Sequence, residues 1–171
     1  MPRLTHVINL PASPQDVASQ LVCKRCRNYI RRALEQGLDV AAVGPEYLPT
    51  FYRVLERNRA KHGARPTHGL ADLQRIFDLT PDRVRLFACN WRDEMIAGAL
   101  VFELNPRVAY LFYLCHEDQF AALRAATVVT LRVAQHYSGR GVRYLDMGPT
   151  SFDDLQMNEG LARFKEEMGA V

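Results

Sequence analysis

The chain has 171 residues, 48% of them apolar, and a formal charge of +3 at pH 7. That is material for one domain with a proper core, or one domain plus an extension, and the mild charge by itself singles out no polyanionic partner. No charged lead followed by an apolar run marks a signal peptide, no apolar stretch reaches membrane-spanning length, and four cysteines in a chain this long do not form a disulfide framework. The expectation is a soluble cytoplasmic protein with no membrane span.

Residues 4–10 alternate apolar and polar side chains, as in a half-buried strand, until Pro11 and Pro14 stop it. Ser13-Pro14-Gln15-Asp16 has the form of a helix start. Residues 23–36 form a helix whose apolar stripe is Cys23, Cys26, Ile30, Ala33 and Leu34, ended by Gly37. A short strand over 38–43 precedes an amphipathic helix over 45–62 and, after a loop, a second over 71–79. Three strands follow at 84–91, 95–104 and 108–115. The tight turns Arg92-Asp93-Glu94 and Asn105-Pro106-Arg107 make them an antiparallel meander. Gly98 in the middle strand signals a bulge or a close backbone approach. Residues 119–137 read as one long helix, apolar on almost every side and therefore buried. A strand over 143–148, a polar loop over 149–157 carrying Ser151, Asp153 and Asp154, and a helix over 158–168 complete the order. Helix-connected strands flanking a meander imply a mixed sheet in an α/β (α+β) layer arrangement.

This order is similar to the core of the Gcn5-related N-acyltransferase (GNAT) superfamily. The local words resemble its Fem-type branch, the peptidoglycan-bridge aminoacyl transferases and their relatives. Residues 5–10, the basic helix around Arg25-Cys-Arg-Asn-Tyr-Ile-Arg-Arg-Ala and the strand after Gly37 resemble the lead-in to a Fem-type domain. Tyr144-Leu-Asp-Met-Gly148 matches an aromatic-x-Asp-Phe-Gly strand, and Gly160-Leu-Ala-Arg-Phe-Lys165-Glu-Glu-Met-Gly169 matches a Gly-Leu-x-x-Phe-Lys-x-x-Phe-Gly helix. The resemblance implies a lead-in strand and basic helix over 1–37 and a GNAT-like acyltransferase domain over 38–171.

It also implies an N-acyltransferase that moves an acyl group from acyl-CoA to an amine on a small molecule or sugar. An aminoacyl-tRNA donor and a non-catalytic domain are the alternatives, and catalytic completeness of this chain alone is left open. Two departures accompany the resemblance. Where acyl-CoA enzymes hold the pyrophosphate on a glycine-rich turn, this chain has Cys115-His-Glu-Asp-Gln-Phe-Ala121, without glycine and with two carboxylates expected to repel a diphosphate. The fold also adds a strand after the last helix, for which three residues remain; residues 4–10, or a second subunit in a homodimer, are expected to fill that edge.

The candidate catalytic residues are Asp146, to orient or deprotonate an amine, and Lys165, to stabilise a carbonyl oxyanion or phosphate. The candidate substrate-binding residues are Tyr113, His116, Gly148, Arg31 and Arg32. Arg31 and Arg32 would meet phosphate or tRNA, as would the stripe Arg53, Arg57 and Lys61 if it is more than a solvated face. Glu117 and Asp118 are placed at a helix start. Cys115-His116 is not a nucleophile–base pair, because adjacent strand residues point to opposite faces. Cys23 and Cys26 read as small buried hydrophobes, since zinc needs four ligands and no second Cys or His pair lies at ligand spacing. No metal is expected.

Overall fold

The computed structural model describes residues 5–150 and 157–171. Six strands form one sheet: β1 (Thr5–Asn9), β2 (Asp39–Val43), β3 (Val84–Trp91), β4 (Glu94–Asn105), β5 (Val108–His116) and β6 (Tyr144–Pro149), in the order β1-β6-β5-β4-β3-β2. Only β5 and β6 run parallel; every other neighbouring pair is antiparallel. Among the described residues six α-helices flank the sheet: α1 (Asp16–Gln20), α2 (Lys24–Glu35), α3 (Leu48–Ala60), α4 (Leu70–Leu79), α5 (Ala125–Gly139) and α6 (Glu159–Glu167).

The two faces are covered by different helices. Leu48, Phe51 and Leu55 of α3 and Leu73 and Phe77 of α4 pack with Leu86, Leu100 and Cys115 on one face. Val128, Val129 and Val133 of α5 pack with Cys26 and Ile30 of α2 and with Ala97, Ala99 and Leu145 on the other. The segment before β2 belongs to that second core, through Ile8, Val17 and Val22 as well. The near-uniform apolarity of α5 therefore reflects its place between the sheet and α1 and α2.

The meander closes as its turns dictate. Arg92 and Asp93, at φ 49° and 63°, form the two-residue turn that matches the twist of paired strands. Gly98 is the close approach: a Cβ there would lie 2.8 Å from the Phe51 ring and 2.8 Å from the Phe87 carbonyl oxygen. The outer edge beside β6 is filled by β1, as one of the two expectations had it. The carboxy-terminal residue adds a further rung, with Val7 N donating to Val171 O (2.9 Å) and Val171 N to Val7 O (3.0 Å).

Three expectations need correction. Residues 119–137 are not one helix. Asp118–Leu123 is a short 3-10 segment, and α5 starts at Ala125 after Arg124 takes a left-handed conformation, φ 52°. No glycine or proline marks that break; Phe120 turns onto Trp91 (centroids 5.5 Å) and Arg124 stacks over Tyr29 (5.1 Å), and tertiary packing overrides the continuous apolar pattern. The helix expected from residue 45 begins with a 3-10 turn, Pro45–Tyr47, before α3. Cys23 packs partly against the core but precedes α2 and is not within it. It is the N-cap, its sulfur accepting the Cys26 N–H at 3.4 Å.

Gly98→Ala should overpack the α3–β4 contact and lower stability by about 1–3 kcal/mol. In a domain of this size that is a fall in Tm of roughly 2–12 °C, to be read by calorimetry; an unchanged Tm would show that Phe51 can withdraw without cost.

Candidate active site

The site is built where β6 leaves β5. Their parallel ladder runs from Val108–Tyr144 through Ala109–Leu145 to Tyr110–Asp146 and goes no further, although β5 continues to His116 and β6 to Pro149. Beyond Tyr110, β6 follows β1, pairing Val7 with Asp146 and Thr5 with Pro149. His6 of β1 thus faces both Met147 and Gly148, a bulge whose glycine has φ +74°.

Side chains fix this divergence. Asp146 Oδ1 accepts hydrogen bonds from Thr5 Oγ1 (2.6 Å) and from the Gly148 N–H (2.7 Å). Lys165 reaches in from α6, whose start is set by Asn158: its side chain accepts from Leu161 N (3.0 Å) and its N–H donates to Thr150 O (2.9 Å). The Lys165 ammonium donates to Gly148 O (2.6 Å), Pro149 O (2.9 Å) and Thr150 Oγ1 (2.9 Å), matching its three protons to three oxygens. Lys165 can only donate, so the Thr150 hydroxyl accepts from it, and the same oxygen lies 2.7 Å from His6 Nδ1. Lys165 is only 2% exposed. Burial pulls its pKa down to about 8, with Asp146 pulling the other way.

The β5 side of the opening is aromatic. The β4–β5 register steps from Leu100–Tyr113 to Val101–Leu111, so Phe112 is the extra residue of a bulge. Its ring packs on Phe102 (4.7 Å), Tyr113 (4.5 Å), His68 (5.3 Å) and Tyr110 (5.9 Å). Tyr110 lies against Gly148, where a Cβ would come within 3.3 Å of its ring and hydroxyl. Its pKa is raised, chiefly by burial and then by Asp146. Tyr113 is buried, its hydroxyl 3.2 Å from His68 Nδ1, with Arg59 5.8 Å from its ring centroid.

At the end of β5 the two acids do not present bare charge. Glu117 is buried and paired with Arg57 (3.0 Å), and Asp118 is paired with Lys61. The expected repulsion of a diphosphate is therefore largely cancelled by α3, whose basic stripe faces this turn. The side chain of Asn58 adds a bond to His116 O (2.9 Å). Burial and the neighbouring Lys61 lower the His116 pKa, outweighing Asp118. A folded 3-10 segment fills the position of a glycine turn, so the chain supplies the positive end of α5 but no glycine nest for a pyrophosphate.

The structure thus brings Asp146, Gly148 and Lys165 together and sets Tyr113 across the opening on β5. His116 lies further along β5, beside α3. Arg31 and Arg32 are exposed on α2, which packs against α5, and Arg31 pairs with Glu35 (3.4 Å). Ser151, Asp153 and Asp154 fall outside the described residues. A concavity of about 340 Å³ lies at the opposite end of β6, lined by Leu10, Pro11, Ser138 and Arg143 among others, and touches none of the predicted residues. Sequence reading missed Thr5, His6, His68, Tyr110 and Thr150. The phasing of residues 4–10 was the one signal for Thr5 and His6; the others become visible only through contacts distant in sequence, such as Tyr110 with Gly148, His68 with Tyr113 and Thr150 with His6.

A strand pair that opens after three rungs, a bulged neighbour and a buried helix behind it define a GNAT-type fold. The chain belongs to the acetyltransferase (GNAT) domain family, whose model matches residues 22–166. Among solved structures it is similar to FemX, with a TM-score of 0.83 and 15% identity over 99% of this chain and 59% of that one. It is similar also to L-PGS from Bacillus licheniformis, with a TM-score of 0.67 and 12% identity over 99% of this chain and 57% of that one. An aminoglycoside acetyltransferase from an uncultured soil metagenomic sample follows at 0.57 and 14% identity, over 76% of this chain and 86% of that one. The chain thus spans less than two thirds of the length of FemX and L-PGS. No curated protein sequence matches it. Among the described residues, no helix is long and apolar enough to cross a membrane.

Lys165→Met should cost about 1–3 kcal/mol at neutral pH, because the Gly148 and Pro149 carbonyls lose their donor. The folded-state pKa of about 8 lies below the ordinary 10.5, so the unfolded chain binds the extra proton between those values and stability rises with pH there. Urea unfolding should show the wild type gaining on the Met variant from about pH 8 to about pH 10.5. Parallel curves would place the ammonium in a solvated environment.

Proposed function

We propose that the chain is an N-acyltransferase in which an amine attacks an activated acyl carbonyl held in the opening between β5 and β6, with acyl-CoA as the donor. The observation that carries this reading is the divergence of the two strands after Tyr110–Asp146. It leaves main-chain groups of β5 without a β6 partner in a cleft flanked by aromatic rings. N–H groups so placed are suited to the oxyanion that forms as the amine nitrogen bonds to the carbonyl carbon. The thiol then leaves, and the amine gives up a proton as the amide forms. Holding amine and thioester in one orientation supplies much of the rate enhancement, so no strongly basic side chain is required.

Asp146 and Lys165 act in this scheme as positioning residues. The carboxylate fixes the Gly148 turn and the ammonium fixes the two carbonyls after it. Tyr113 and Tyr110 shape the wall against which the acyl group or acceptor lies. His116 stands nearer the α5 end, where the donor would approach. The scheme has the acceptor as a small molecule or sugar bearing a primary amine, and the chain acting in the cytoplasm.

An aminoacyl-tRNA donor is the second reading, favoured by the folded segment at Asp118–Leu123 where a glycine turn would hold a pyrophosphate. In that reading Arg31 and Arg32 contact phosphates of the tRNA.

The test is ligand-induced stabilisation. A hundredfold excess of acetyl-CoA over its Kd stabilises a protein by about 2.7 kcal/mol, which in a domain of this size is a Tm rise of roughly 5–11 °C. A panel of acyl-CoAs that produces no rise, together with salt-dependent tRNA binding weakened by Arg31→Ala and Arg32→Ala, would replace the first reading with the second. With a responsive donor and an amine panel, thiol release should separate the roles of Asp146. Asp146→Asn keeps an acceptor for Gly148 N and should stay within about tenfold of wild type, whereas loss of a general base costs about 10²–10⁴.

A further inference from the structure

Cys23, Cys26 and Glu167 converge on one point, although Glu167 lies 141 positions from Cys26. The sulfurs and a carboxylate oxygen all lie within 4.8 Å of one another. Cys23 is half-exposed at the N-cap of α2, and Cys26 is buried one turn on. The Cys26 thiol points at Glu167 Oε2, 3.4 Å away, and Arg25 pairs with the other carboxylate oxygen. The Cys23 N–H donates to the Glu167 carbonyl (3.0 Å), so the start of α2 and the end of α6 are already joined by main chain.

From this geometry we propose that Cys23, Cys26 and Glu167 form a binding site for one zinc-class divalent cation, with water as the fourth ligand. Thiolate with carboxylate is a ligand set that zinc accepts, and tetrahedral coordination at about 2.0–2.3 Å sets ligand–ligand separations of roughly 3.3–3.8 Å. The Cys26–Glu167 separation is already in that range. Binding displaces the two thiol protons as two metal–sulfur bonds form. Two thiolates, one carboxylate and a divalent ion leave a single negative charge, and Arg25 stands beside it to balance it. The N-terminal end of α2 favours net negative charge at this point. A reversible Cys23–Cys26 disulfide is the competing use of the same pair. It has no need of Glu167, and the aim of the buried thiol at that carboxylate favours a cation. The ion would tie the end of α6 to α2 two residues from Lys165. The site is independent of the acyl-transfer reading, and either can fail without the other.

The test is a titration of the full, reduced, metal-free chain with zinc against a chromophoric chelator, repeated with cobalt to detect thiolate-to-metal charge transfer. One equivalent should bind with release of two protons. Cys23→Ser keeps an oxygen cap for α2, so its fold is preserved, and it should bind at least a hundredfold more weakly. Glu167→Gln replaces an anionic ligand by a neutral amide and should weaken binding by at least the roughly tenfold to a hundredfold that loss of even a supporting contact costs. Absence of stoichiometric binding by the reduced chain, an affinity unaltered by Glu167→Gln, or ready formation of a Cys23–Cys26 disulfide in a chain that binds no zinc when reduced would each overturn the proposal.

Discussion

The Lys165 ammonium group stands at the carbonyl end of β6, where β5 has withdrawn and the carbonyls of Gly148 and Pro149 face the protein interior. A buried carbonyl without a donor costs about 1–3 kcal/mol, so an opening in a sheet is tolerated only where something replaces the missing strand. Here the replacement is one cation, on an α6 that Asn158 starts from the Thr150 carbonyl. Burial opposes the charge, and Asp146 and three oxygens support it. That balance is the condition for keeping β6 and β5 apart, and with it any site between them.

The same economy governs the end of β5. Glu117 and Asp118 look hostile to a phosphorylated donor when read along the chain. In the fold α3 sets Arg57 and Lys61 against them, a relation across 60 and 57 positions. Glu117, buried with its partner largely exposed, is better explained as an anchor between α3 and the end of β5 than as a ligand for substrate. The turn that results is near neutral and closely packed, quite unlike an open glycine loop. This weakens the electrostatic objection to acyl-CoA and leaves the geometric one standing.

The order of elements along the chain, the meander and the burial of α5 were legible because they rest on local rules: alternation, tight turns and uniform apolarity. That Asp146 and Gly148 share the last strand was legible for the same reason. The break at Arg124 was not, since no residue type there forbids a helix and the cause is the packing of Phe120 on Trp91 and Arg124 on Tyr29. Cys23 shows the complementary error: its spacing fits an apolar stripe and it packs partly against the core, yet it stands just before the helix and caps it. Partners such as His6 with Thr150, or Cys26 with Glu167, share no local pattern and appear only once the two ends of the chain meet.

That meeting has a mechanical consequence. β6 is gripped on one side by β1 and on the other, for three rungs only, by β5, so the direction it takes beyond Asp146 is decided by β1. β1 is held in turn by Val171 and by Ala170 opposite Ile8, immediately after α6. The first strand, the last helix and the opening therefore form a closed mechanical loop: β1 sets β6, β6 presents carbonyls to Lys165, and the residues that follow Lys165 hold β1. A change that loosens one member is transmitted to the others through hydrogen bonds already on the path, which makes the edge strand a part of the site although it contributes no reacting group.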